Sequence, residues 1–310
     1  MLFLQSKLNI NLTLVNQHNS IKALINLVDD PDESIFGQVR SEIIKYGIEA
    51  IPYLSSSWND DLFGNIHQNR IKNLIDDIHF SDVKTQLKEW MKCPEKDLLK
   101  GAIIVSRYIS SEINSDKIYN YFEELKRDIW LEMNNYQTAF EKIKIINRVL
   151  FEHHNFSGDK NNYHSPENSY IHQVIKSKKG NPLSLSLIYS VLAQSLDVPV
   201  YGVNLPKHFI LAYMDMEGTN AAINKENDFG TLFYINPFSN GKILNLEEIK
   251  SFLDDLSLKH DRHFFEPCSN SDIIKRMVNN LIYSYKESNK KQQVSELKEL
   301  LHILKNPSLG

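Results

Sequence analysis

Three short stretches hold the residues with the types and order for nucleophilic chemistry. His208 stands in NLPKHFILAYMD, Asn236 in FYINPF, and both follow the helix start GNPLSLSLIYSVLAQSL at 180–196. A nucleophile on the first turn of a buried helix gains from the helix dipole and the orphan N–H groups there. A histidine opening a later strand can move its proton, and an acid or amide closing the next strand can orient the ring. That is the layout of a thiol enzyme, yet the sulfur between residues 178 and 215 is that of Met214. Position 182 is a proline, whose ring suits the first helical position because its missing N–H costs nothing there. A pyrrolidine ring has no lone pair with which to attack, so thiol chemistry is excluded by residue type. Ser184, and less directly Ser186, is the alternative nucleophile, activated by His208 if the two come within hydrogen-bond reach. Against that, a serine at this position commonly caps the helix or bonds back to it.

Positioning these groups requires a particular set of elements. Leu183, Leu185, Leu187, Ile188, Val191 and Leu192 cover almost the whole circumference of the helix, which makes it central. Gly180 ends the helix YIHQVIKSKKG before it, and LDVPVYGV leads into a first strand. FILAYMD and LFYINPF read as further strands, joined by the polar, hairpin-like NAAINKENDFG. Upstream, DLLKGAIIVSRYI reads as a buried helix, while IYNYFEELKRDIWLEM and AFEKIKIINRVLFEHH are amphipathic. Trp130 and Tyr136 are expected in the core. NFSGDKNNYHSPENS is a turn-rich loop.

The segment YHSPENSYIHQVIKSKKGNPLSLSLIYSVLAQSLDVPVYGVNLPKHFILAYMD, followed by FYINPFSNGKIL, resembles the transglutaminase-like superfamily. More closely it resembles the SirB-type branch, also called transglutaminase-like core 2, over roughly residues 97 to 290. The resemblance implies an α+β, papain-like core with a small antiparallel sheet in a mostly helical chain. Matched motif by motif, it puts the superfamily's cysteine at Pro182, its histidine at His208 and its aspartate at Asn236. Two of the three groups are therefore replaced. An asparagine still orients a ring N–H, but it does not stabilise an imidazolium as a carboxylate does.

At the N-terminus, SIKALINLVDDPDESIFGQVRSEIIKYGIEAIPYLSSSW resembles a HEAT repeat, with Asp32 or Ser34 as helix cap and apolar stripes Ile21–Leu24–Ile25–Val28 and Ile35–Val39–Ile43–Tyr46. RIKNLIDDI and VKTQLKEWM form a degenerate second pair. SDIIKRMVNNLIYSYKESN and VSELKELLHILKN resemble a tetratricopeptide-like hairpin. The expected division is a HEAT-like region at 1–95, the core at 96–265 and tetratricopeptide-like helices at 266–310.

Other polar positions carry weaker signals. Asn168, Asn204 and Gly180 are candidates for the groove; for the two amides, anchoring of the loop over the site is the first reading. His153, His154, His164 and His172 crowd one region, but their spacing matches no zinc pattern, and no metal or cofactor is expected. Cys268 reads as a packing cysteine.

The composition is that of an ordinary soluble chain, 42% hydrophobic and 24% charged. A net charge of -4 gives no case for nucleic acid or an anionic membrane. Two cysteines and the absence of a basic, apolar leader point to a cytoplasmic location. The resulting expectation is an inactive transglutaminase-like protein that binds a protein or peptide partner. The rivals are a hydrolase or acyltransferase using Ser184, His208 and Asn236, and a scaffold in which the former site is packed shut.

Overall fold

The computed structural model describes residues 19–58, 65–214 and 230–306. The start of the chain lies outside them, as does the connection NAAINKENDFG apart from Gly230. The chain divides into two units, Met1–Gln86 and Leu87–Gly310.

The first unit is built on helices with one apolar face each. Helix α1 covers 19–26, α2 covers Glu33–Tyr46, α3 covers Ile51–Trp58, and α4 begins at Asn65 and ends at Lys92. Asp32 caps α2 by accepting from the Ser34 N–H at 2.8 Å. Ile21, Ile25, Val28, Val39, Ile43, Leu54, Ile71, Leu74 and Ile78 make one buried cluster. Ile35, on the same nominal stripe as Val39, is exposed at the start of α2. RIKNLIDDI and VKTQLKEWM are one continuous helix, because the HFSD between them holds no glycine or proline to stop it.

In the second unit, α5 (Leu98–Arg107) is buried along nearly its whole length, as its composition predicts. The amphipathic α6 (Ser115–Trp130) buries Ile118, Phe122, Leu125 and Ile129. Trp130 and Tyr136 do not join the core, being 63% and 97% exposed. Ile129 takes the last inward position of α6, so the next residue points about 100° away from it. Tyr136 lies in the turn before α7 (Ala139–Asn147), which continues as a π-helical turn over Arg148–His153.

The turn-rich loop contributes β1 (Ser157–Gly158), and α8 (Ile171–Ser177) leads to β2 (Lys179–Gly180). The two short strands pair in parallel, Ser157 with Lys179 and Gly158 with Gly180. Helix α9 (Pro182–Gln194) follows at once and packs against α5, α6 and the main sheet. That sheet is antiparallel in chain order: β3 (Val200–Val203), β4 (Ile210–Met214), β5 (Thr231–Asn236) and β6 (Lys242–Leu244). The three-residue β6 carries too little pattern to be recognised in sequence. On one face, Ile210, Ala212 and Tyr234 join Ile249 and Leu253 of α10 (Leu246–Asp255). Leu211 and Tyr213 alternate to the other face and are buried too, so β4 has apolar cover on both sides.

Helices α11 (Asn270–Glu287) and α12 (Lys291–Lys305) pack together at the end of this unit. The architecture is thus α+β and mostly helical, with a small antiparallel sheet. Among the described residues, no helix is long and apolar enough to cross a membrane.

Candidate functional site

The start of α9 is a closed hydrogen-bond circuit. Asn181 is the cap residue: its Oδ1 accepts from the Ser184 N–H at 2.9 Å, and its own N–H donates to Ser184 Oγ at 3.0 Å. Its Nδ2 donates to Ser169 Oγ at 2.9 Å. Pro182 follows as the first helical residue, and with Asn181 and Leu183 it lines a cavity of about 510 Å³.

His208 lines the same cavity, carried by the loop between β3 and β4. Lys207 before it adopts a left-handed backbone, φ 58°, and the His208 N–H donates to Leu205 O at 3.3 Å. Phe238 and Phe252 flank the imidazole, with ring centroids at 6.4 and 6.2 Å. On its other side a second cavity, about 550 Å³, is lined by His208, Asn236, Lys242, Glu248 and Phe252 among others. The packed-shut reading is therefore overturned, since His208 faces open volume on two sides.

Asn236 ends β5, and its amide bonds towards the His208 ring in a way that favours the protonated imidazole. That contact is poorly aligned, for the buried Asn236 Oδ1 makes no hydrogen bond of full geometry. Burial outweighs it. Desolvation, assisted by the Arg276 charge, holds the His208 pKa below its ordinary value. The site thus holds an imidazole whose protonation is disfavoured by burial, the helix start and the strand-end amide, and among the described residues no hydroxyl or thiol is hydrogen-bonded to that imidazole.

A profile of the transglutaminase-like superfamily matches residues 116–279, more than half of the chain. The chain belongs to that superfamily. Relatives include F-box only protein 21 of Mus musculus, 26% identical over 273 residues, which is 87% of this chain and 40% of the relative. A UPF0162 protein of Xylella fastidiosa is 28% identical over 158 residues, 48% of this chain and 50% of the relative. Another, of Vibrio cholerae, is 24% identical over 157 residues, 51% of this chain and 53% of the relative. The chain spans between two fifths and about half of the length of these relatives. No solved structure matches it.

Within this transglutaminase-like core, Ser184 does not meet His208. Its Oγ donates to Asn181 O at 3.2 Å while accepting from the Asn181 N–H. A Cβ at Gly180 would lie 2.6 Å from that oxygen, so Gly180 serves the close packing of the cap and does not face the cavity. Ser186 Oγ is buried without a partner and lines neither cavity. Asn168 anchors the loop: its Nδ2 donates to Asn162 O at 2.7 Å. Asn204 reaches the site through another residue, its Oδ1 accepting from Arg276 Nη1 at 2.9 Å.

Arg276, Tyr163 and Tyr283 line the cavity and were not singled out from sequence, and His164, weighed there only as a metal ligand, lines it with them. A signal existed for Arg276: it shares a face of α11 with Ile273 and Asn280, so a cation falls in an inward stripe. Tyr163 sits in an irregular loop, where no periodicity marks it. The crowded histidines separate. His154 bonds Asp128 Oδ2 at 3.0 Å and Tyr121 OH at 3.2 Å, His172 lies near the Tyr170 ring, and His164 enters the cavity wall. Burial is the chief cause that pushes the Cys268 thiol pKa up to about 12, which disfavours the thiolate.

Proposed function

We propose that this chain is a catalytically inactive member of the transglutaminase-like superfamily that uses its former catalytic cavity to bind a protein or peptide partner. One observation carries the reading. Pro182 and His208 line one open cavity, which supports a site that has kept its cavity while lacking the attacking atom. The amide at Asn236 in place of a carboxylate agrees with this, because it cannot stabilise an imidazolium that no longer has to form. The spacing of the Gly-Asn-Pro, Leu-Pro-Lys-His-Phe and Asn-Pro-Phe pieces supports the SirB-type branch. The flanking HEAT-like and tetratricopeptide-like helices would supply further binding surface. A cytoplasmic location suits a chain with two free cysteines.

Activated esters and glutaminyl peptides, offered with and without an amine acceptor, test the reading. The expected outcome is no turnover that depends on His208, and little gain in Pro182→Cys because Asn236 still stands where the acid would be. Hydrolysis or acyl transfer abolished in His208→Ala overturns it. Acyl-probe labelling of Ser184 would do the same for the capped serine.

A further inference from the structure

Arg276 is a half-buried cation in the cavity, and the described residues offer it no counter-ion. Its Nη1 donates to Asn204 Oδ1 at 2.9 Å and, at 3.4 Å, to Leu205 O. Among the described residues, no carboxylate lies within ion-pair distance of it, and its Nη2 and Nε have no protein acceptor. Desolvation disfavours its charge, as its lowered pKa shows. A guanidinium kept partly dry without an anion is unfavourable for the empty protein and becomes favourable once an anion enters.

The rest of the lining narrows the anion. Lys207 is exposed at the rim, and the carboxylates of the second cavity do not reach the first. Inside the cavity the fixed charge is the single Arg276 guanidinium, with Lys207 exposed at its edge, which suits a carboxylate held at one fork. Two donor groups left on a planar fork suit a carboxylate, which accepts them side by side. Next to the guanidinium stands an aromatic wall. The His164 ring lies 5.0 Å from Tyr163 and 5.1 Å from Tyr283, centroid to centroid. A volume of about 510 Å³ is within the usual range for small-molecule or short-peptide sites.

We infer that Arg276, held in place by Asn204, captures a peptide carboxylate, and that the adjoining apolar side chain lies against Tyr163, His164 and Tyr283. The inference rests on the binding reading above and gives that site its ligand chemistry. The carboxylate can be a chain terminus or an acidic side chain, so the test uses three peptides. They are N-acetyl-alanyl-phenylalanine as the free acid, the same peptide as its C-terminal amide, and N-acetyl-glutamyl-phenylalanine amide.

Calorimetric titration of the full chain should show at least one of the two acids binding about tenfold tighter than the neutral amide, as expected for a charge-assisted pair. Which acid wins identifies the source of the carboxylate. Arg276→Gln should bring that acid down to the level of the amide, with Arg276→Lys retaining part of the preference. Asn204→Ala, which frees the guanidinium without removing it, should weaken the acid and leave the amide unchanged. Thermal melts confirm that each variant is folded. Equal binding of acids and amide, or an acid preference unchanged in Arg276→Gln, overturns the carboxylate site while leaving a binding module. If none of the three binds at millimolar concentration, the carboxylate site is likewise overturned. Hydrolysis of the peptides that depends on His208 would remove the binding reading itself.

Discussion

Two arginines, one in each unit, show how the same side chain can be structural or exposed to a ligand. Arg70 in the first unit is engaged by the protein itself. Its Nη1 donates to Val28 O at 2.8 Å and Asp30 O at 2.7 Å, its Nη2 to Glu33 at 2.7 Å, and its guanidinium lies 4.1 Å from the Phe36 ring centroid. It thereby holds the turn between α1 and α2. Arg276 in the second unit has an amide oxygen, a long contact to one carbonyl and then open volume. A cation that closes its own hydrogen bonds serves the fold, whereas one held at a single edge and aimed into a cavity is set for something from outside.

Stability measurements test that contrast most strongly. Arg70→Met leaves the carbonyls of Val28 and Asp30 without their donor and should cost about 2–3 kcal/mol in urea unfolding followed by circular dichroism. Arg276→Met should leave stability unchanged or raise it by about 1 kcal/mol, because a poorly compensated charge gives way to an apolar chain of similar length. Comparable losses in the two variants would mean that Arg276 is a structural residue, and the contrast would fail.

A smaller effect is expected at the cap of α9. Ser184 is the counterpart of Arg70 in miniature: a polar group with the look of a reagent that is wholly engaged by its own backbone. Ser184→Ala should lower stability by about 1 kcal/mol, as loss of half a capping box does. Binding of carboxylate peptides should remain at the wild-type level. A Ser184→Ala protein of unchanged stability but altered ligand binding would show that the serine faces the ligand.

Much of the positioning framework was legible because it follows local rules. Pro182 at a helix start, the all-round apolar α9, the strand that follows His208 and the strand that ends in Asn236 were expected from residue type and period, although His208 itself lies in the loop two residues before β4. The misses are tertiary. Trp130 looked like core because it is large and apolar, but a one-residue offset on α6 decides exposure, and Ile129 occupies the inward place. The cavity wall combines Tyr163 from a loop, His208 from a strand connection and Arg276 from α11. No local pattern links positions so far apart in the chain. Ser184 remained ambiguous for a related reason: a capping serine and a nucleophilic serine occupy the same place in sequence, and only the direction of Oγ separates them.

The smallest effect tests whether the Arg276 charge reaches across the cavity. The His208 pKa is lowered first by burial, raised by Asn236 and lowered again by Arg276. Removing the cation in Arg276→Gln should therefore raise the His208 midpoint, read from the ring proton shifts in an NMR titration. The midpoint should still stay below 6.5, because burial is the larger cause. The sign carries over to stability. With a folded pKa below the unfolded one, the unfolded chain binds more protons, so stability falls as pH drops from about 6.5 towards the folded value. His67 and His172 shift the same way, so the wild-type melting temperature should fall over this window, and His208→Gln should reduce the fall without abolishing it. Arg276→Gln should reduce it by less than His208→Gln does. If the His208 midpoint does not move when Arg276 is neutralised, the guanidinium does not face the imidazole across shared space. The second unit's arginine would then differ from the first unit's only in being less well bonded.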